Sequence, residues 1–410
     1  MPLDVTKIRS EFPALAEGAA HFDGPGGSQV PLPVARAVAD TLCGGISNRG
    51  SVTAAERRAG SVVTEARSAV ADLLDCRPEG VIFARSMTQA TYDMARALAK
   101  EWGEGDEVVV TRLDHDANIR PWVTAAEAAG ATVRWVDFDP ATGLLPVDAV
   151  RAALSPRTRL VAVTAASNLL GTRPDVPAIT EAAHAAGALV YVDGVHLTPH
   201  ATVSVADLGA DFYACSPYKF FGPHHGVLSA APELLDTVHP DKLLPAADLV
   251  PERFELGTLP YETLAGTTAA VDFIAALGES GQGGPQPGGS GDRSRRSRLV
   301  ASMRQVEAYE EELFARLVDG LAAISGVTRY GSPERPTPTA LFSVAGHSPQ
   351  EVYERLGAAG VNAPAGSFYA IEAARHLGLG ATGAVRAGIS PYNTPEDVDR
   401  LLAGVSELAR

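Results

Sequence analysis

The sequence of 410 residues contains only three cysteines, Cys43, Cys76 and Cys215, and none of them forms a CxxC pair or a Cys/His spacing typical of metal sites. A disulfide framework and a metal site are therefore not predicted. No apolar run reaches the roughly 20 residues needed to span a bilayer, and the first residues lack a basic start followed by an apolar segment. We therefore expect a cytoplasmic protein without a membrane partner.

Basic residues are also fewer than acidic ones. Lys and Arg total 34 against 49 Asp and Glu, which gives a formal net charge of -15. Because nucleic acid is a polyanion, this balance argues against it as the main partner and favours a small-molecule substrate. The remaining composition, 46% hydrophobic and 20% charged, is ordinary for a globular protein, and the length fits two domains.

Short apolar segments alternate with alanine-rich helical ones along the first half of the chain. The segments predicted as strands are 81–84, 107–111, 132–136, 159–164, 188–192 and 212–215. Their nearly continuous apolarity predicts an α/β fold with a doubly wound, mostly parallel sheet that binds ligands at the carboxyl ends of its strands. A nicotinamide dehydrogenase would share this pattern, but no G-x-G-x-x-G follows the first strand.

Composition divides the chain into four parts. Residues 279–297 contain no apolar residue and are rich in Gly, Pro, Ser and Arg, which predicts a flexible surface insertion. Its arginines, with Arg298, are expected to be solvated rather than to bind an anionic partner. We expect residues 21–278 to form a large domain, 298–410 a small α+β domain, and 1–20 a segment packing on the small domain.

A lysine and an aspartate carry the first chemical signal. Lys219 lies among aromatic and glycine residues, about one strand-helix-strand unit after Asp193, which follows the strand at 188–192. A partly apolar pocket disfavours the charged amine and so makes it a usable nucleophile, while a carboxylate can keep a pyridine nitrogen protonated. The pair suggests pyridoxal phosphate (PLP). Cys215, four residues before the lysine, is interpreted as a buried, inert thiol.

Eight short motifs in a fixed order extend this signal over nearly the whole chain. They lie at 22–27, 85–90, 113–118, 166–172, 192–196, 216–219, 256–258 and 386–394. Together they resemble the class V aminotransferase superfamily of fold type I PLP enzymes, and within it the cysteine desulfurase-like group. The resemblance implies a large PLP-binding domain and a small C-terminal domain.

The resemblance also implies a role for each matching residue at the cofactor. Lys219 would hold PLP covalently and then move the Cα proton, Asp193 would pair with the pyridine nitrogen, and His115 would stack on the ring. Asn168 would donate to the ring oxygen, and the phosphate would meet the helix N-terminus around Met87 and Thr88. Further cofactor contacts are expected from Ser216, His196 and Tyr218.

Substrate and partner contacts follow from the same resemblance. Arg386 would clamp the α-carboxylate of an amino acid, a task that suits a planar guanidinium. Thr258 would reach the phosphate of a neighbouring subunit, which implies a homodimer. The other residues that we assign to substrate binding are Asn118, Arg49, Phe368 and Tyr369.

The departures from the family bear most on function. Desulfurases carry a cysteine nucleophile on a loop near the C-terminus, whereas the corresponding stretch here is 361–369 and no cysteine follows residue 215. The persulfide route therefore lacks its nucleophile. His196 stands where these enzymes usually have glutamine, and Tyr218 where they usually have histidine.

What remains is a predicted PLP site that can remove the Cα proton of an amino acid. We expect a carbon-sulfur lyase that eliminates a β substituent, with His115, His196 or Tyr369 as candidate acids. Transamination and epimerisation in a biosynthetic pathway stay open as alternatives. A non-catalytic scaffold is disfavoured because it would leave Lys219, Asp193 and Asn168 unexplained.

Overall fold

The computed structural model describes residues 3–278 and 294–410. The helices within these ranges are α1 (Val5–Ser10), α2 (Leu32–Cys43), α3 (Ala54–Leu74), α4 (Met87–Ala99), α5 (Arg120–Ala129), α6 (Val147–Ala153), α7 (Val176–Ala185), α8 (Val205–Leu208), α9 (Pro232–Thr237), α10 (Tyr261–Leu277), α11 (Arg295–Ala323), α12 (Pro349–Ala358), α13 (Ile371–His376) and α14 (Pro395–Leu408). The strands are β1 (Ala20–His21), β2 (Val81–Ala84), β3 (Glu107–Thr111), β4 (Thr132–Val136), β5 (Thr158–Thr164), β6 (Leu189–Asp193), β7 (Phe212–Cys215), β8 (Gly226–Ala230), β9 (Val327–Tyr330), β10 (Thr339–Val344), β11 (Val361–Asn362), β12 (Ala365–Gly366) and β13 (Ala384–Gly388).

The large sheet confirms the predicted mostly parallel architecture. Among the described residues it has seven strands in the order β2-β8-β7-β6-β5-β3-β4. Strand β8 pairs antiparallel with both β2 and β7, and the other neighbouring strands pair in parallel. The six predicted strands are present within one residue of their expected ends, whereas β8 was not predicted.

Both faces of this sheet are covered, because alternate side chains of the same strand pack into different cores. In β5, Val161 belongs to a cluster with residues of α3 and α10, whereas Leu160 belongs to a cluster with residues of α4 and α5. Trp122 and Tyr191, both fully buried, pack edge to face within the second cluster. The nearly continuous apolarity of the strands reflects this burial on two sides.

The C-terminal part forms a second layer. Strands β12, β13, β10 and β9 make an antiparallel sheet in that order, and α11, α12 and α14 pack against it through a third core cluster. The N-terminal segment lies on this part of the molecule: β1 pairs with β11, and Arg9 forms an ion pair of 2.9 Å with Asp397.

The last residues of the predicted insertion at 279–297 belong to helix α11 of this second layer. Residues 279–293 lie outside the described ranges. Helix α11, however, begins at Arg295, with Ser294 as its N-cap, so the boundary predicted at residue 297 is too late. The arginine and serine residues of its first turn carry no apolar periodicity that would mark the start of a helix.

Two of the arginines that were predicted to be solvated make intramolecular contacts instead. Arg295 pairs with Asp272 at 2.8 Å and with Asp72 at 3.2 Å. Arg296 donates to main-chain carbonyls, including that of Val203 at 2.8 Å. These contacts anchor α11 to the large domain. None of the helices within the described ranges has the length and apolarity that a membrane crossing requires.

Candidate active site

A cavity of about 320 Å³ opens at the carboxyl ends of the large sheet. Its wall is built from the segments that follow β2, β3, β5, β6 and β7, which all run in one direction, together with β13 and the turn after β12. The predicted site residues that line it are Met87, Thr88, His115, Asn168, Asp193, His196, Ser216, Tyr218, Lys219, Phe368, Tyr369 and Arg386. The cavity residues between 87 and 219 come together because parallel strands end at one edge of the sheet. The antiparallel sheet of the C-terminal part adds Arg386 of β13 and the turn with Phe368 and Tyr369.

Lys219 presents a nucleophilic amine in this cavity. It lies on a short 3-10 turn directly after β7, and its Nζ donates to the carbonyl of Pro25. Burial, with a smaller contribution from the Arg386 charge, lowers the pKa of Lys219 to about 7, and Asp193 opposes the change. A large fraction of the amine is therefore uncharged near neutral pH, as covalent catalysis requires.

Asp193, the last residue of β6, supplies a carboxylate that is 4% exposed. Its Oδ1 accepts a hydrogen bond of 2.9 Å from the Val195 N–H, which fixes the carboxylate and leaves its other oxygen available to a group in the cavity. Burial raises the pKa of Asp193 to about 6, while the Val195 N–H and the Lys219 charge oppose this. A protonated nitrogen in the cavity would favour the ionised form.

A second carboxylate, Asp114, lies behind the first and was not predicted as a site residue. It is fully buried, accepts from Thr111, and accepts from Asn118 Nδ2 at 2.7 Å. Burial raises the pKa of Asp114 to about 8, and the two side-chain hydrogen bonds oppose it. Asp114 is therefore mostly protonated near pH 7 and adds no second negative charge beside Asp193. The motif at 113–118 contained the residue, but its role depends on burial.

The N-terminus of α4 forms the anion-binding part of the cavity. Ser86 caps the helix by accepting from the Gln89 N–H, and Met87 and Thr88 form its first turn. Backbone N–H groups that lack helical partners at such a position favour phosphate. Gly226 of β8 packs directly under this turn, and a Cβ there would lie 2.2 Å from the carbonyl carbon of Ser86. Glycine is therefore required for the turn to approach the sheet.

His115 is held as a neutral imidazole in one tautomer. Its Nδ1 accepts a hydrogen bond of 3.0 Å from the Ala117 N–H, so the proton of the neutral ring resides on Nε2. Burial, followed by the charge of Lys219, lowers the pKa of His115 to about 4. The ring lies 5.6 Å from that of Tyr369. His115 can therefore stack on a planar ligand and donate from Nε2.

Arg386, in the middle of β13, is a buried cation that lacks an anionic partner among the described residues. It is 2% exposed, its Nη1 donates to the Asn168 carbonyl at 3.0 Å, and its Nε has no partner in the described part of the chain. The Phe368 ring centroid lies 3.7 Å from its Cζ. Burial lowers the pKa of Arg386 to about 9, and Asp23 opposes this. Such a group is suited to bind a carboxylate.

The side-chain amide of Asn168 makes only part of the hydrogen bonds that it could make. Its Nδ2 donates to the Phe368 carbonyl at 3.0 Å, while its Oδ1 is buried and has no partner among the described residues. The second N–H of the amide remains free, so Asn168 can still donate to an oxygen of a bound ring.

The turn after β12 occupies the place where the resemblance puts the desulfurase cysteine. Phe368 and Tyr369 both have positive φ, 53° and 57°, a conformation that bulky residues rarely adopt. The Tyr369 carbonyl accepts from the Asp116 N–H at 2.7 Å, and Asn168 binds the Phe368 carbonyl, so two hydrogen bonds hold the turn over the cavity. The sequence indicated these residues but not their strained conformation.

Three predicted site residues lie outside the cavity of the single chain. Asn118 is committed to Asp114 and to Trp122, whose Nε1 donates to it at 3.1 Å, so its role here is structural rather than substrate binding. Arg49 is paired with Glu252 at 3.2 Å. Thr258 lies in an exposed turn after Gly257.

Comparison with known proteins decides the family. The sequence model of the family described as Aminotransferase class-V matches residues 20–281 and 299–401. The chain belongs to this family. Within it, the chain is 34% identical over 411 residues to an uncharacterized protein of Mycobacterium tuberculosis, covering 100% of both. It is 29% identical to a cysteine desulfurase of Klebsiella pneumoniae, covering 100% of this chain and 99% of the other.

The solved structures agree with the sequence relatives. The cysteine desulfurase CsdA from Escherichia coli matches with a TM-score of 0.85 and 26% identity, covering 99% of this chain and 98% of that one. This class V family member is therefore a PLP-dependent, cysteine desulfurase-like enzyme. The site fits this cofactor: Lys219 would bind its aldehyde, Asp193 its pyridine nitrogen and the α4 N-terminus its phosphate, while the second amide N–H of Asn168 would donate to its ring oxygen.

Proposed function

We propose that this enzyme is a carbon-sulfur lyase that eliminates the β substituent of cysteine or a cysteine-like amino acid without a persulfide on the protein. The observation that carries the proposal is that no cysteine lines the cavity within the described residues. Cys215 is buried in β7 and Cys76 is partly buried, and burial raises the pKa of both thiols. Cys43 is exposed at the end of α2.

The cavity residues have distinct tasks in this reaction. Arg386 binds the substrate α-carboxylate and so orients the Cα–H bond. The uncharged amine of Lys219 would accept the Cα proton. PLP, held by Lys219, Asp193 and the α4 N-terminus, would supply the electron sink that makes this proton removable. Asp193 fixes the protonated pyridine nitrogen. His115 and His196 are both neutral because burial lowers their pKa values, so neither holds an excess proton.

That proton balance assigns the acid role. Once Lys219 has taken the Cα proton, its ammonium can give that proton to the leaving sulfur, which returns Lys219 to its uncharged form. Tyr369, the third candidate acid, also lines the cavity but is 77% exposed. His115 can stabilise the departing sulfur by donating a hydrogen bond from Nε2. Overall, cysteine and water give pyruvate, ammonia and hydrogen sulfide, so no oxidant or reductant is consumed.

The test is product analysis with the purified, PLP-loaded protein. We expect pyruvate and sulfide in equal amounts from L-cysteine, and neither from the Lys219→Ala variant. Borohydride reduction followed by peptide mapping should locate the cofactor on Lys219. Failure to release pyruvate together with sulfide or thiol from cysteine, cystine and cysteine conjugates would contradict the proposal.

The same cavity supports a second candidate, because it contains no thiol or other group specific for sulfur among its lining residues. Arg386 and Lys219 serve any reaction that begins with loss of the Cα proton. An aminotransferase would bleach the yellow cofactor to its aminated form when amino acid is added alone. An epimerase would instead incorporate solvent deuterium at Cα while the amino acid is retained.

We propose further that the enzyme acts as a cytoplasmic homodimer in which Thr258 reaches the phosphate site of the partner. Exposed apolar side chains support this, because Leu244 is 96%, Leu249 72% and Leu256 52% exposed, the last of them two residues before Thr258. Exposed apolar surface of this kind marks interaction sites. Sedimentation equilibrium that showed an active, fully PLP-loaded monomer would contradict the dimer.

A further inference from the structure

The turn that carries Phe368 and Tyr369 depends on contacts from outside itself. Both residues have positive φ, and the helix that follows them, α13, has only six residues. A strained turn persists only where the surrounding structure fixes it, and a helix this short is marginal by itself. Two hydrogen bonds hold the carbonyls of the turn, as described above. Charged contacts with the large domain come from Glu372, in the first turn of α13.

Glu372 is a carboxylate shared by arginines at two points of the large domain. It is 9% exposed, its Oε1 accepts from Arg120 at 3.3 Å, and its Oε2 accepts from Arg112 at 3.2 Å. Arg112 follows β3 directly and is itself fixed by Asp137 at 2.7 Å, whereas Arg120 is the first residue of α5. Both oxygens of this carboxylate are therefore paired, and they join α13 to the segment that runs from β3 to α5.

The segment from β3 to α5 is also the one that carries His115. Arg120 binds Asp116, the residue after His115, with 2.9 Å between its Nη2 and the aspartate Oδ1. The N–H of Asp116 in turn donates to the Tyr369 carbonyl at 2.7 Å. A closed path of contacts therefore runs from Glu372 through Arg120 and Asp116 to Tyr369, which precedes Glu372 by three residues. This path fixes the turn relative to His115.

The other side of the turn contacts the arginine assigned to the substrate carboxylate. The ring of Phe368 lies against the guanidinium of Arg386, with 3.7 Å between the ring centroid and Cζ. Asn168 joins the two residues, because its side chain donates to the Phe368 carbonyl and its main-chain carbonyl accepts from Arg386. A displacement of the turn would therefore move Phe368 off the guanidinium and change the direction of the unpaired Nε of Arg386.

We propose that Glu372 is a positioning residue of the active site, which acts through Arg120 and the turn at 367–370 to fix His115 and Arg386 relative to each other. This rests on the proposed function in that His115 serves the cofactor ring and Arg386 the substrate carboxylate. Glu372 itself does not line the cavity, so its effect passes through the groups that do. Such an effect is large enough to measure, because misplacing a reacting group by 1 Å can lower a rate by about 100-fold.

A second buried carboxylate provides the matched control. Glu107, the first residue of β3, is 2% exposed and is bound by Arg134 at 2.7 Å and by Arg157 at 3.0 Å. It lies at the amino end of the strand whose carboxyl end leads to His115, so it is at the edge of the sheet opposite to the cavity. Glu107→Gln therefore breaks the same kind of ion-pair network without reaching the site.

The experiment compares Glu372→Gln with Glu107→Gln in the PLP-loaded full chain. The first readout is the visible circular dichroism of the bound cofactor, which reports how asymmetrically the protein surrounds its ring. The second is the dissociation constant of glycine, measured from the initial change in cofactor absorbance. Glycine has the α-carboxylate but no β substituent to eliminate. Urea unfolding records the stability of each variant, so that a purely structural effect is measured separately.

We expect both variants to lose stability in urea, because each substitution weakens a buried ion-pair network. Glu372→Gln, but not Glu107→Gln, should also change the circular dichroism of the cofactor and raise the dissociation constant of glycine by about tenfold. This is less than the roughly 30-fold effect expected for loss of Arg386, because the guanidinium is misplaced rather than removed.

The proposal is overturned if either readout of Glu372→Gln matches the native enzyme, or if Glu107→Gln changes both as much. Should Glu372→Gln fail to fold, Arg120→Met takes its place, with Arg134→Met as its control. These two arginine side chains are 39% and 48% exposed, and each buried carboxylate keeps another arginine, Arg112 or Arg157. Arg120→Met should change both readouts in the same direction as Glu372→Gln, and native values would again overturn the proposal.

Failure of this proposal can be told apart from failure of the proposed function. Neither readout requires turnover of a substrate with a β substituent. An enzyme that transaminates instead of eliminating would therefore contradict the proposed function while the comparison of Glu372→Gln with Glu107→Gln still decides the role of Glu372.

Discussion

Replacing Arg386 with methionine should stabilise the enzyme while it abolishes efficient catalysis. Burial lowers the pKa of this guanidinium to about 9 from an ordinary 12.5, and each tenfold change in proton affinity is worth about 1.4 kcal/mol. The ionised side chain is therefore held at a cost on the order of 5 kcal/mol. Methionine would lose the bond to the Asn168 carbonyl and the contact with Phe368, so we expect a net gain of about 1–3 kcal/mol.

A second buried arginine provides the matched control. Arg67 is 7% exposed, similar to Arg386, but it forms two hydrogen bonds of 2.8 Å with the buried carboxylate of Glu255. Arg67→Met leaves that carboxylate unpaired and should destabilise the protein by about 3–5 kcal/mol. Both arginines are buried, but Arg67 has a carboxylate partner and Arg386 has none among the described residues. The comparison therefore isolates the effect of the anionic partner on stability.

Urea unfolding of the PLP-loaded variants without substrate measures both effects. Arg386→Met should unfold at higher urea than the native enzyme, and Arg67→Met at lower urea. In steady-state assays Arg386→Met should lose about 30-fold or more in kcat/KM, because a buried carboxylate contact is worth about 2–5 kcal/mol. If Arg386→Met destabilises as much as Arg67→Met, or retains its kcat/KM, the assignment of Arg386 as an unpaired, carboxylate-binding cation is refuted.

Three further predictions concern the amine, the turn and the phosphate site. The rate at which cofactor-free protein captures PLP should rise with pH through about 7 and then level off, because only uncharged Lys219 attacks; a midpoint near pH 10 by absorbance would contradict the lowered pKa. Tyr369→Gly should be more stable to urea than Tyr369→Ala by about 0.5–1 kcal/mol, since glycine relieves positive φ while the side chain is 77% exposed. Gly226→Ala should weaken PLP retention in dialysis by displacing the first turn of α4, whereas Gly103→Ala, with no atom within 4 Å of the added Cβ and no positive φ, should not.

The parallel strands and the residues that follow them could be predicted because each carries a local signal. An apolar run marks the strand, and a polar residue at its end marks the ligand-binding edge, as for β6 and Asp193. Strand β8 was missed, although it lies directly after the motif around Lys219, because its antiparallel course depends on pairing with both β2 and β7. Such non-local pairing leaves no local pattern in the sequence.

The site residues also divide into those that a local motif predicts and those whose role depends on contacts distant in sequence. Lys219, His115 and Arg386 could be assigned from motifs, and the structure places them in one cavity. Asn118 lies in the same motif as His115, but its side chain turns inward to Asp114, and neighbouring positions in a motif do not distinguish these directions. The contacts of Glu372 could not be predicted either, because its partner Arg120 is 252 positions away.

Two of the buried polar atoms that lack hydrogen-bond partners among the described residues lie at the cavity where the chemistry is proposed. They are Asn168 Oδ1 and Arg386 Nε. Each is destabilising in a chain without ligands, because a buried polar group that makes no hydrogen bond costs about 1–3 kcal/mol. A ligand that satisfies the groups at the cavity therefore stabilises the folded state as it binds. PLP should accordingly raise the unfolding temperature, and a substrate carboxylate at Arg386 should raise it further.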